Sequence, residues 1–258
     1  MGFGAITGYV DVAQLVLYAF WAFFFGLIYY LVRENHREGY PMDSGRNDST
    51  LITGWPVPPR KIYRLNNGHE VIVPRPATPR PDLKAVRTWV GTGAPLTPTG
   101  NPMLDGVGPG AWCHREDEPD CTMDGAPVIE PLRATPEFSV SPKNIDPRGL
   151  TVYGADGEAG GTVTDLWLDR IEMIVRYFEV AVPVPGGVRN VLLPVQYTRV
   201  RGGRNPRITV EAILGSQFAQ APALKHPDYV TKLEEEKLMA YFGAGTLYAT
   251  PERTEVWL

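Results

Sequence analysis

The side chains in this sequence best suited to chemistry are carboxylates. Asp165, Asp169, Glu172 and Glu179 fall in two adjacent strand-like runs, Asp120 and Asp124 in a polar loop, and Glu234, Glu235 and Glu236 at the start of a helical stretch. Such groups either stand as solvated faces or, where an apolar or membrane setting raises their pKa, hold and pass protons. Composition leaves both readings open. Templates for other chemistry fail on named residues. Ser216 sits in ILGSQFA rather than a nucleophile elbow, no phosphate-binding G-x-x-x-x-G-K-[ST] run exists, and the glycines of GADGEAGGT read as a β turn. His36, His69, His114 and His226 form no i, i+4 pair, and Cys113-His114 with Cys121 lacks the second ligand pair of a zinc module. No enzyme activity and no metal site are expected of this chain.

One element dictates where those carboxylates work. Val12 to Val32 reads VAQLVLYAFWAFFFGLIYYLV, free of Asp, Glu, Lys, Arg and His, and as a helix it would extend roughly 31 Å, enough to cross a bilayer. A signal peptide would carry positive charge before the apolar run and a small-residue cleavage site after it, and neither is present, so the span is expected to stay as an anchor. The other reading, a buried core helix, fits poorly because the run is apolar on every face. Arg33 and Arg37 follow the span and no Lys or Arg precedes it, which places residues 1–11 outside and the rest in the cytoplasm. Tyr9, Tyr29, Tyr30 and Tyr40 fall where amphipathic rings meet headgroups, and Gln14 is a polar group in need of a partner.

Twenty-seven glycines and 25 prolines in 258 residues exclude a long helical bundle. With 25 Lys and Arg against 29 Asp and Glu, a formal charge of -4 and no basic stripe, nucleic acid is excluded as a partner. Two cysteines suit a reducing compartment. Residues 33–147 carry 18 of the prolines and read as a Pro-rich extended segment with short strands. It is either a disordered linker or, as Trp55, Ile62, Tyr63, Val71, Trp89 and Trp112 favour, an ordered strap. KIYRL and HEVIVP around Asn66-Asn67-Gly68 read as a hairpin. From 148 to 258 the period becomes that of strands, at 162–168, 174–182, 188–195 and 207–214, giving a small antiparallel β domain or barrel. One late helix is expected at 229–242, ended by Gly243.

Several stretches resemble the H subunit of the photosynthetic reaction centre of purple bacteria. They are DVAQLVLYAFWAFFFGLIYYL with RENHREGYP at 11–41, PTGNPMLDGVGPGAW at 98–112, NIDPRGL at 144–150, GTVTDLWLDR with RYFEV at 161–180, and LEEEKLMAYFGAGTLYATPER at 233–253. The resemblance implies a single N-terminal transmembrane helix plus a mainly-β cytoplasmic domain of PRC-barrel type. It implies a bacterial inner, intracytoplasmic membrane with a periplasmic N-terminus. The subunit binds no pigment itself: it caps the cytoplasmic face of the L and M subunits, stabilises the quinone sites and supplies part of the proton path to the secondary quinone. The complex carries bacteriochlorophyll, bacteriopheophytin, quinones, non-haem iron and carotenoid. A cytochrome subunit, the light-harvesting antenna and membrane lipid are further candidate neighbours.

By position, Glu172 is similar to the family carboxylate near the secondary quinone, Arg176 to a basic neighbour offsetting its charge, Asp169 to a relay, and Asp124 to an acid at the proton-uptake surface. Here Ala126, Pro127 and Val128 follow Asp124-Gly125 where some members have histidines, and Asn67 replaces a family histidine, with His69 nearby. Ala and Val cannot exchange protons as histidine does. Asp120, Asp124 and His114 are therefore expected to serve for uptake. The alternative function is a membrane-tethered β-barrel assembly module with no proton role.

Overall fold

The computed structural model describes residues 4–40, 42–43, 51–52, 57–66, 68–74, 82–90 and 93–254. Trp55 and Asn67 lie outside the described residues. The chain divides into two compact units, residues 1–81 with 87–95, and residues 82–86 with 96–258.

The first unit is built on α1 (Val12–Asn35), a helix none of whose residues is buried, and the single described helix long and apolar enough to cross a membrane. Asp11 caps its start by accepting the Gln14 N–H at 2.7 Å, and Gln14 Oε1 accepts the Asp11 N–H at 3.4 Å. The polar partner that Gln14 requires is thus its own helix cap. Phe20 and Phe24 stack at 5.8 Å, and Trp21 lies 5.9 Å from Phe25, so the rings line the outside of the helix at i, i+4 spacing. Strands β1 (Met42–Asp43) and β2 (Leu51–Ile52) pair, as do β3 (Lys61–Arg64) and β4 (Glu70–Val73). The second pair is the expected hairpin. The Leu65 carbonyl accepts the Gly68 N–H at 2.9 Å, and Gly68 takes a φ of 82° that a side chain would resist. At the end of α1, Glu34 accepts Arg37 at 2.7 Å and Lys61 at 3.0 Å, joining helix to hairpin.

Strand β5 (Ala85–Arg87) has Ala85 and Val86 in the second unit and Arg87 in the first, and the second unit continues with β6 (Leu96–Pro98) and the single-turn α2 (Pro102–Asp105). It is dominated by a seven-stranded sheet of β7 (Ile129–Pro131), β8 (Thr151–Tyr153), β9 (Ala159–Asp169), β10 (Ile174–Val184), β11 (Gly187–Pro194), β12 (Thr198–Arg201) and β13 (Arg207–Val210). The ladder runs β11-β10-β9-β8-β13-β12, with β7 on β9. Each described pairing is antiparallel except β8 with β13, and the ladder is not hydrogen-bonded into a closed ring among the described residues.

Why the central strands are apolar almost throughout follows from their two buried faces. Alternation sends Leu166, Phe178 and Leu193 into the main core with Phe218, Tyr241 and Phe242, while Trp167, Tyr177 and Leu192 enter a second cluster with Val128, Ile129 and Leu238. Helix α3 (Lys232–Tyr248) sends Leu238 into that second cluster and Tyr241, Phe242 and Ala244 into the first. It starts at Thr231, whose Oγ1 accepts the Glu234 N–H at 3.1 Å. It does not stop at Gly243 as the pattern predicts. Gly245 has no room for a Cβ against Ile213 and the Ala212 carbonyl, so glycine here permits close packing within the helix instead of ending it.

Asp165 and Glu179 stand directly opposite on β9 and β10, both buried. The Arg133 guanidinium bridges them at 3.1 and 2.6 Å, and Glu179 also accepts Trp167 Nε1 at 2.8 Å and Asn190 Nδ2 at 2.7 Å. Replacing Arg133→Met leaves two buried carboxylates facing each other, and is expected to cost about 3 kcal/mol. Chemical denaturation of the chain in detergent checks this; a loss below about 1 kcal/mol would mean that solvent, not Arg133, carries the charges.

Candidate functional site: a carboxylate cluster at one end of the central strands

The β9–β10 connection gathers three of the residues expected to act together. Asp169, 4% exposed at the end of β9, accepts the backbone N–H groups of Ile171 and Glu172 on Oδ1 at 3.0 and 2.9 Å, and Arg176 on Oδ2 at 3.2 Å. A short carboxylate that satisfies the N–H groups two and three residues on shapes the turn itself. Arg176, from the start of β10, also reaches Glu172 at 3.1 Å. Glu172 remains exposed, and Met173 beside it adopts a φ of 57°, unusual for a non-glycine residue. Ile171, Met173 and Ile174 are 63%, 74% and 45% exposed, so the acidic tip is rimmed by exposed apolar side chains.

Asp120 and Asp124 share a loop but not a position. The Asp120 carbonyl accepts the Val128 N–H at 2.8 Å, and the Val128 carbonyl accepts the Arg170 N–H at 3.0 Å. With Ile129 paired to Asp169 on β7 and β9, this brings Asp120 to the same end of the sheet as Asp169. Asp124 lies in the exposed turn closed by Gly125 N–H to the Thr122 carbonyl at 2.9 Å. His114, Cys113 and Cys121 are exposed on the same loop. That loop docks on the start of α3: Lys232 N–H donates to the Glu118 carbonyl at 3.0 Å, and Asp117 accepts Thr231 Oγ1 at 2.9 Å. The Lys225 ammonium beside Asp117, with Thr231, holds its carboxyl below the usual range.

Sequence reasoning noted the three glutamates of α3 without assigning them. Successive helical residues point about 100° apart, and the three diverge accordingly. Glu234 completes the helix cap, accepting Thr231 N–H at 2.9 Å and Lys225 N–H at 2.7 Å. Glu236 faces Arg115 at 3.7 Å. Glu235 shares its face with Leu238, three residues on, and accepts the Tyr177 hydroxyl at 2.8 Å. Burial pushes the Glu235 carboxyl above its ordinary value, against the downward pull of Tyr177, Arg176 and Arg115, while the negative charge of Asp120 adds to the rise. Burial likewise raises the Tyr177 phenol, which stays protonated. The only sequence signal for this pair was the T-x-x-E cap, which sets the phase of the helix.

An apolar helix long enough to cross a membrane in one unit, and a mainly-β second unit with a carboxylate cluster, are the features of a single-pass membrane protein with a small β domain. Residues 145–213 match the PRC-barrel domain, and residues 4–134 match the N-terminal region of the photosynthetic reaction centre H chain. The chain belongs to the reaction centre H-chain family: it is a subunit of a photosynthetic membrane complex.

A carboxyl whose folded pKa is raised stabilises the fold fully below its unfolded value, and loses that contribution as pH rises through the folded value. Glu235→Gln should therefore gain stability over the parent as pH climbs from the ordinary carboxylate range through the raised value, with a constant difference in acid. Thermal melts of the two chains against pH test this, and parallel curves would show Glu235 to be solvated.

Proposed function

We propose that this chain caps the cytoplasmic face of the pigment-binding L and M subunits, stabilises their quinone sites and supplies part of the proton path to the secondary quinone, without itself being an enzyme. The observation that carries this reading is the tip at 169–174. An exposed carboxylate, Glu172, is tied through one guanidinium to a buried one, Asp169, inside a rim of exposed Ile171, Met173 and Ile174. Exposed apolar rims are contact surfaces. A groove of about 670 Å³ continues this rim, lined by Phe138, Val140, Ile145, Leu168, Met173 and Val200. Family membership supplies the kind of partner, the other subunits of a reaction centre.

Covered by such a partner, Glu172 would sit in a low-dielectric setting where the field of Arg176 opposes the cost of its charge. As a quinone takes its second electron it must take protons from the cytoplasmic side. Glu172 would deliver one, or by its charge set the energy of the reduced quinone. Arg33 in the last turn of α1 and Arg37 just beyond it, with no Lys or Arg before the helix, support a periplasmic N-terminus and a cytoplasmic second unit. Asp120 and Asp124 would receive protons from solvent, in place of the histidines missing after Gly125.

A tagged copy purified in mild detergent from a phototrophically grown host is expected to carry bacteriochlorophyll bands that bleach reversibly in light. A colourless preparation would leave only a tethered assembly module. Ile171→Asp with Met173→Asp should reduce the pigment recovered per chain at least about tenfold, as burying unpaired charge in a contact surface does. Glu172→Gln should slow the second, proton-coupled electron transfer by roughly an order of magnitude, read by flash spectroscopy; unchanged kinetics would remove Glu172 from the path.

A further inference from the structure

The Tyr177–Glu235 pair joins two elements far apart in sequence, and neither residue is used in the scheme above. Glu235 lies between two sets of charges. On one side is β10, with Tyr177 donating to it at 2.8 Å and Arg176 acting on it through space. On the other is the docked loop, with Arg115 and the exposed Asp120. On its own helix, Glu234 is committed to the cap and Glu236 faces Arg115. Of the three glutamates, Glu235 is the one hydrogen-bonded to the strand that carries Arg176, while Glu236 meets the loop at Arg115 and adds its charge near Tyr177.

We propose that Glu235 is a proton-exchanging carboxylate of the cytoplasmic path, taking protons from solvent beside Asp120 and acting on the Arg176, Asp169 and Glu172 cluster, with Tyr177 setting the balance between its acid and carboxylate forms. The inference rests on the proton-path reading of Glu172 and extends it by one residue toward solvent.

The chemistry is a simple proton exchange. In the acid form Glu235 is neutral, and Arg176 is left to Asp169 and Glu172. When the proton departs from the carboxyl to solvent beside Asp120, the charge left on its oxygens is stabilised by the Tyr177 hydroxyl and by the fields of Arg176 and Arg115. Arg176 then faces one more negative charge, and the charge of Glu172 is less well compensated. A proton arriving from solvent at Asp120 restores the acid and the original balance. Burial favours the acid form while the hydroxyl and two guanidinium groups favour the carboxylate, so both forms are accessible, as a relay requires. Tyr177 cannot itself carry the charge, because burial holds its phenol protonated. It is a positioning residue.

A purely structural role would require only an acceptor for the Tyr177 hydroxyl, which glutamine also provides. Glu235→Gln therefore separates the two. In the photoactive complex containing the full chain, the rate of the second electron transfer and flash-induced proton uptake, followed with a pH-indicator dye, would be measured from acid to alkaline pH. Rates are taken per centre that photobleaches, so poor assembly does not mimic slow transfer. The expected result for Glu235→Gln is a roughly threefold or greater slowing, with one ionisation step gone from the pH profile. Tyr177→Phe removes a hydrogen bond to the charged form and should move that step up by about one pH unit. A Glu235→Gln profile that superimposes on the parent, while Glu172→Gln is slow, overturns the role of Glu235 and leaves that of Glu172 intact. If both variants behave as the parent, the proton-path reading falls and takes this inference with it. Should Glu235→Gln fail to assemble, Tyr177→Phe decides alone, and a step that stays in place or moves down overturns the proposal.

Discussion

Two like charges placed directly opposite on neighbouring strands should repel, and inside a core they should not be there at all. Asp165 and Glu179 are so placed, and Arg133, reaching in from the turn after β7, makes the arrangement possible. Its guanidinium is planar and always charged, so it can satisfy both carboxylates from one position where a lysine could not. The consequence is a registered pair of strands: slipping β9 against β10 by one residue would turn Leu166 and Phe178 out of the main core and pull the acids out of reach of Arg133.

That register places the functional end. With β9 and β10 locked, the chain must reverse between Asp169 and Ile174, and Asp169 closes the reversal by accepting two backbone N–H groups. The second oxygen is then free for Arg176, which brings Glu172 into the cluster. The same alternation presents Tyr177 on the outer face, beneath α3, one residue from Arg176. Structure and chemistry share these groups: the turn that holds the fold also holds the exposed acid.

The two units divide the work. One presents a helix whose large aromatic side chains face outward on every side, a surface suited to lipid and to other helices. The other buries most of its apolar strand residues in two cores and exposes Ile171, Met173 and Ile174 around the acidic tip. A subunit of a photosynthetic complex can combine in this way an apolar helix with a β unit that arranges carboxylates.

The anchoring helix, the first hairpin, the three long strands and one late helix were legible in the sequence, because each follows from side chains close along the chain: length without charge, Asn and Gly at a turn, period-two alternation, apolar residues at helical spacing. The Asp169, Glu172 and Arg176 set was legible too, through local spacing and the family resemblance. Strand β12, the parallel pairing of β8 with β13 and the continuation of α3 through Gly243 were not, since each depends on what another segment packs against. The pairing of Tyr177 with Glu235 belongs to the same class. The sequence by itself determined where the carboxylates fall along the chain, although Glu172, read as lining a strand, lies in the turn between β9 and β10. Only the tertiary structure decided which of three consecutive glutamates is a cap, which faces Arg115 and which meets the hydroxyl, because burial and partners come from elements 58 residues apart in the chain.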